Sequence, residues 1–247
     1  MRKVKRGDLW RVFLRSFYIQ GSWNYERMLN LGFCFCLLPV GKRLFSGLKE
    51  RAEFLKRHLV FFNAHPYLAS YSLGAVARLE EKAIVERWGD HKPIEKLKQR
   101  LCSPLGAIGD QLFWNILKPL AAIWGIILLI EAEYVGPITF LILYNIPHIY
   151  YRYHGVLQGY RLDFDIIREI SKRKYERLFK RLVPMGALSV GMLVVLCGHW
   201  TSPEGVASLG SFISSSLISY LLIRKKVSPY FIVLVILIGV IFVSIVI

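Results

Sequence analysis

Residues 227–247 hold twenty-one consecutive positions without a charged side chain. At about 1.5 Å of rise per residue, a helix of that length crosses the roughly 30 Å hydrocarbon core of a bilayer. Backbone that enters hydrocarbon has to satisfy its own hydrogen bonds, which leaves helices and closed barrels as the available solutions. Two more uncharged runs, 184–200 and 205–223, are separated by Thr201-Ser202-Pro203-Glu204 and repeat the constraint. Composition agrees: the chain is 54% hydrophobic and only 20% charged, with a mean hydropathy of +0.40. A soluble domain of this size needs more charge, spread over a polar skin. Here the charges are gathered into blocks, which marks a polytopic, all-α integral membrane protein.

The net charge of +16 has two readings, a nucleic-acid surface or the cytoplasmic loops of a membrane protein. The basic blocks Arg2-Lys3-Val4-Lys5-Arg6, Arg173-Lys174 and Arg224-Lys225-Lys226 each flank apolar runs. That placement selects the positive-inside rule, and no nucleic-acid partner is expected. Five passes are expected between 111 and 247: 111–130 (interrupted by Lys118-Pro119), 134–151, 184–200, 205–223 and 227–247. The basic segment 152–183 then lies in the cytoplasm and the acidic turn from Glu131 to Glu133 outside. This orientation puts the N-terminus in the cytoplasm and the C-terminus outside. No cleavable signal peptide is expected, because Trp10, Arg11 and Arg15 interrupt the apolar core it would need.

Residues 1–20 predict a surface amphipathic helix, with Asp8 at its start and Leu9, Trp10, Phe13 and Phe17 on one face. It lies either on the bilayer surface or against protein. Between 21 and 110 the apolar runs 29–40 and 59–74 are too short to span and are broken by Pro39, Asn63, His65 and Pro66. Broken backbone at membrane depth has to be buried in protein or line a cavity, so re-entrant hairpins are expected here. The whole chain, 1–247, reads as one membrane domain. Cys34 and Cys36 are too close for zinc spacing and have no partner pair. No metal, cofactor or structural disulfide is expected.

Four clusters set polar groups among helix breakers: 21–28, 61–68, 103–114 and 144–148, the last followed by Arg152-Tyr153-His154-Gly155. Polar groups inside apolar segments are costly and are functional more often than not. Amides and carboxylates bind sugar hydroxyls, and aromatic rings stack on the apolar sugar face. The candidate substrate-binding residues are Asn24, Glu26, Asn63, His65, Asp110 and Trp114. Each has a plainer alternative. Glu26 could pair with Arg27, Asn63 and His65 could cap the helix after Pro66, and Asp110 could cap one starting at Gln111. Asn145 and His148 could be structural, beside a kink at Pro147. HExxH, GxSxG, Walker A, GxGxxG and CxxC patterns are absent, and no catalytic residue is expected.

Ser22-Trp23-Asn24-Tyr25-Glu26-Arg27-Met28, followed by Asn30-Leu31-Gly32-Phe33, resembles the opening motif of a known family. That family is the IID component of the mannose/fructose/sorbose group of the sugar phosphotransferase system. The stretches 61–68, 104–114 and 144–148 resemble the same family in the same order. The resemblance implies a bacterial cytoplasmic-membrane permease subunit that translocates a hexose together with a membrane IIC partner. It implies soluble IIA and IIB phosphocarriers, an elevator-like movement and an oligomer of IIC–IID pairs. Gln111, Asn115 and Lys118 depart from the family's usual serine, small residue and arginine. Those departures keep open a non-transporting receptor or regulatory scaffold of the same fold.

Overall fold

A computed structural model describes residues 3–170 and 172–201, with single positions beyond. The described residues form α1 (Arg6–Ser16), α2 (Asn30–Leu44), α3 (Leu48–His58), α4 (Ala69–Val85), α5 (Lys92–Gly109), a π-helical segment (Asp110–Leu117), α6 (Lys118–Glu131), α7 (Val135–Leu162), a 3-10 turn (Asp163–Asp165), α8 (Ile166–Glu169) and α9 (Lys172–Thr201). No strand occurs among them. Two helical stretches are long and apolar enough to cross a membrane, Lys92–Ile130 and Tyr175–Cys197. Burial of their apolar windows reaches only 22% and 17%, unlike the core helix of a soluble protein. The segment expected as a pass at 134–151 lies within α7, which continues past Arg152 to Leu162. The expected passes at 205–223 and 227–247 lie largely outside the described residues.

The chain divides into two compact units, one of Met1–Leu117 with Leu143–Leu178, the other of Lys118–Ile142 with Phe179–Ile247. In the second unit α6 and the start of α7 pack at two glycines. A Cβ added at Gly136 would lie 2.3 Å from the Gly125 carbonyl oxygen, so only glycine admits that contact. Ile126, Leu129, Ile138, Leu141, Met185 and Leu188 are exposed there. So much unburied apolar surface belongs against lipid or another chain.

The first unit carries all four polar clusters. Its helix starts follow local rules: the Asp8 carboxylate accepts from the Lys5 N–H at 3.0 Å and Glu50 from the Gly47 N–H at 3.2 Å. Phe33, Phe54, Phe62, Leu68, Leu73, Leu79 and Ile94 are fully buried between the helices. Helices α4 and α7 run in the same direction and touch through backbone. A Cβ on Gly74 would lie 2.1 Å from the Val156 carbonyl oxygen, and one on Gly159 would lie 2.1 Å from that of Tyr71. Contacts continue along the pair, from Tyr71 Oη on His154 Nδ1 at 3.1 Å to Lys82 Nζ on Asp163 Oδ2 at 2.5 Å. Tyr160 also donates to the Glu81 carboxylate.

Beneath this contact sits a buried ionic group. Glu80 accepts from Arg57 Nε at 2.8 Å and Arg57 NH2 at 2.6 Å, and lies 3.0 Å from His58 Nε2. Burial disfavours the Glu80 charge, but the bonds from Arg57 and His58 outweigh it and hold the carboxyl at about 2. Burial also disfavours protonating His58, and it outweighs the Glu80 carboxylate, so the imidazole falls to about 4. A neutral His58 donates from Nε2 to Glu80, which leaves Nδ1 as an acceptor with no partner among the described residues. Between about pH 4 and 6.5 the unfolded chain binds a proton here that the folded chain does not. The contribution is therefore complete above pH 6.5 and is lost as the pH falls toward 4. Thermal melting of the purified protein should show a midpoint that drops across that window, by the equivalent of about 3 kcal/mol at most. His58→Gln, which keeps the donor, should flatten the drop; an unchanged pH profile in that variant would refute the assignment.

Candidate functional site

The site is built around the irregular segment 59–68 that joins α3 to α4. The chain before α2 turns back on itself, with Asn24 and Met28 exchanging backbone hydrogen bonds at 3.2 and 2.9 Å. Asn24 closes this turn by accepting from the Arg27 N–H at 2.8 Å and donating to Asn30 Oδ1 at 3.0 Å. Met28 sits at φ 58°, a left-handed conformation that costs a non-glycine residue about 1 kcal/mol or more. The neighbouring pairings hold it there. Leu29 N–H donates to Phe62 O at 2.9 Å and Phe62 N–H to Arg27 O at 3.4 Å. The first and second clusters are thereby joined backbone to backbone.

The third cluster reaches the same segment through His65. Its ring stacks on Phe113 at 5.1 Å and leans on Trp114 at 5.0 Å. A Cβ added at Gly109 would lie 2.2 Å from His65 Cβ, so the glycine leaves room for the histidine. The fourth cluster closes on Tyr67, whose hydroxyl lies 3.0 Å from that of Tyr144. The Tyr67 ring also stacks on His148 at 4.7 Å. His148 Nε2 in turn meets Asn145 Oδ1 at 2.8 Å, one helical turn back. The first, third and fourth clusters, spread over more than a hundred residues, thus meet the second at Phe62, His65 and Tyr67.

The candidate residues have separate fates within this arrangement. His65 is buried, its Nδ1 accepts from the Tyr67 N–H at 3.3 Å, and its Nε2 has no partner among the described residues. Asn63 is exposed beside the fully buried Phe62, and Trp114 is half exposed. Neither Asn63 nor His65 caps α4, whose N-cap position is Leu68 and carries no side-chain cap bond. Nor does Asp110 begin a helix. It sits inside a helical run unbroken from Lys92, where the backbone widens into a π-helical segment. Such widenings are uncommon and frequent at functional sites. Beside it Ser103, Pro104, Ala107, Ile108 and Gln111 line a cleft of about 300 Å³. Glu26 stands apart: its carboxylate is largely exposed and pairs with Arg27 at 3.1 Å.

Two residues at the centre were not among the candidates, Tyr67 and Arg152. The Arg152 guanidinium is buried, 4.8 Å from the Tyr67 ring centre and 4.9 Å from that of Phe17. It donates to the Ser16 carbonyl and to Ser16 Oγ at 3.2 Å, and no carboxylate pairs with it among the described residues. The tyrosine carried no signal because an aromatic in an apolar run is ordinarily core. The arginine reads as the end of a span and as the residue that follows the fourth cluster. Rings, amides and a carboxylate around a widened helix suit a neutral, hydroxyl-rich ligand. No cluster of three metal-ligating side chains occurs among the described residues.

The family model described as the PTS system mannose/fructose/sorbose family IID component matches residues 3–209. The chain is 35% identical to the mannose-specific EIID component of Escherichia coli K12, over 84% of this chain and 74% of that one. It is 32% identical to the sorbose-specific EIID component of Klebsiella pneumoniae, over 81% and 72%. Against the fructose permease IID component of Bacillus subtilis the identity is 29%, over 81% and 72%. Among solved structures, a chain of the cryo-EM complex of the mannose transporter ManYZ with microcin E492 aligns at a TM-score of 0.64 and 30% identity. That alignment covers 100% of this chain and 97% of the other.

The Gly109–His65 contact can be tested against a neighbour on the same helix. Gly109→Ala should force His65 out of place and lower the melting midpoint, by the equivalent of roughly 1–3 kcal/mol. Gly106→Ala, with open space at its Cβ, should be neutral or stabilising. Equal effects at both positions would mean that His65 is not held by the glycine.

Proposed function

The chain belongs to the mannose/fructose/sorbose family of phosphotransferase-system IID components, membrane transport subunits without catalytic activity of their own, and on that premise we infer that it translocates a hexose. It does so together with a membrane IIC partner, and soluble IIA and IIB components deliver phosphate to the sugar as it emerges. The observation that carries this reading is the meeting of the other three polar clusters with the second at Phe62, His65 and Tyr67, with Trp114 and Asp110 beside a widened helix. Asn24, Asn63, His65, Asp110 and Trp114 contact the sugar, and Glu26, exposed with Arg27, faces the partner chain. The broken apolar runs 29–40 and 59–74 are the re-entrant segments. Subunits assemble as an oligomer of IIC–IID pairs in the bacterial cytoplasmic membrane, with the N-terminus inside and the C-terminus outside.

Radiolabelled mannose, fructose and sorbose uptake in cells co-expressing IIC tests this directly. Asn63→Ala, His65→Ala and Asp110→Ala should each cut uptake about ten- to a hundred-fold while the IIC–IID complex still assembles, as expected for a lost bond of about 1.5–3 kcal/mol. Normal uptake in all three variants would remove the site. The changes at Gln111 and Asn115 favour a second reading, a non-transporting receptor or scaffold. Assembly with IIC but no uptake of any of the three sugars by the unaltered chain would select it.

The same reading puts no phosphate on this chain. Cys102 is the thiol nearest a basic stretch, and its Sγ is half-buried and donates to the Lys98 carbonyl at 3.3 Å. Cys34 and Cys36 are buried, whereas Cys197, expected inside an apolar run, is exposed on α9. His91 has no acid bonded to its ring among the described residues. Incubation with labelled phosphoenolpyruvate and the soluble phosphotransferase proteins should label IIA and IIB and leave this chain blank. A stable adduct lost in Cys102→Ser or His91→Ala would overturn this.

A further inference from the structure

The exposed side of α1 is divided lengthwise. Trp10, Leu14 and Phe17, spaced by four and three residues, form an apolar stripe with exposures of 51%, 46% and 40%. Arg11 and Arg15, one position further round, form a basic stripe beside it. The basic stripe opens onto a cleft of about 390 Å³ between α1 and α2, lined by Asp8, Arg11, Arg15, Pro39, Lys42 and Arg43. Asp8 is the one acid in it, and it is already engaged. Arg43 binds it through Nε at 2.8 Å and NH2 at 3.3 Å, while Arg11 stands 3.9 Å away. Arg15 is anchored from behind, donating to the Phe35 carbonyl at 3.0 Å with its guanidinium 4.5 Å from the Phe35 ring centre. With Asp8 and Arg43 cancelling, the cleft presents three cations, on Arg11, Arg15 and Lys42.

We propose that this cleft is a binding site for an anionic phospholipid, its phosphate held by Arg11, Arg15 and Lys42 and its acyl chains lying along Trp10, Leu14 and Phe17. Charge complementarity calls for an anion, and the adjoining apolar stripe decides its source. A free phosphate or an acidic soluble protein would leave three large apolar side chains in water, at a cost that scales with their area. A phospholipid covers both halves of the helix at once, the pattern of helices that lie in a membrane interface. The anchored Arg15 and the Asp8–Arg43 pair fix the cleft's walls, so the headgroup meets a preformed arrangement rather than a diffuse basic surface. The site is independent of sugar binding, and its occupancy is read without transport.

Native mass spectrometry of the full chain, purified in detergent with its co-expressed IIC partner, measures retained lipid. Titration with phosphatidylglycerol should load the complex, and phosphatidylcholine or inorganic phosphate should not. Arg11→Gln/Arg15→Gln/Lys42→Gln should reduce phosphatidylglycerol retention on the order of ten- to a hundred-fold. A control carrying as many substitutions elsewhere, Lys49→Gln/Lys56→Gln/Lys96→Gln, should retain it. Trp10→Gln/Leu14→Gln should weaken retention with the charges intact. An equal loss in the control would reduce the cleft to general basic charge, and competition by inorganic phosphate would make it a free-anion site. Failure of the triple variant to assemble with IIC would give this face to the partner chain. Each of those results overturns the proposal, and none of them bears on sugar uptake.

Discussion

Backbone contact between α4 and α7 underlies everything else in the first unit. Gly74 and Gly159 let two helices far apart in sequence come closer than any side chain would allow. Small residues at the contact bring the two backbones together without intervening side chains. Once the helices touch there, their flanking residues are committed. Tyr67 meets Tyr144 and His148 at one end, and Glu81 and Lys82 meet Tyr160 and Asp163 at the other. Glu80, facing away from α7 toward Arg57 and His58, ties α3 to the same helix.

The site inherits its shape from that commitment. Segment 59–68 has no regular structure of its own, yet His65, Tyr67 and Phe62 are pinned by ring stacking and by backbone pairing with the turn at Met28. Irregular backbone is stable where neighbouring elements satisfy its polar groups and pack against it. Here α5 with its π-helical continuation, α7 and the 24–28 turn all contribute. The left-handed Met28 is where the strain of this arrangement is concentrated.

Helical class, membrane residence and the four clusters were legible in the sequence because each rests on a local pattern: uncharged runs, basic flanks, and breakers beside polar groups. The family was legible for the same reason, since its motifs are contiguous. What the sequence did not reveal depends on contacts between distant residues. Gly106 and Gly109 look equally like helix breakers, but both lie within a continuous helix, and only Gly109 is required, by His65. The alternative reading of Asp110 as a cap at Gln111 fails, because the helical run is unbroken from Lys92. Arg152 looked like the end of a span because it is charged, whereas the structure buries it between the Phe17 and Tyr67 rings. Local rules misplace such residues because a burial that runs against their chemistry is set by tertiary packing.

The glycine contact also has a mechanical meaning. Helices that meet through side chains can slide by small steps as rotamers adjust, which is the basis of shear movements. Between α4 and α7 the touching atoms are carbonyl oxygens and amide nitrogens, which have no rotamers to change. Sliding by one residue would drive a side chain into the space a glycine now leaves. The pair therefore behaves as a single stiff plate, and any displacement of the first unit has to be taken up at its edges, in joints rather than along this seam.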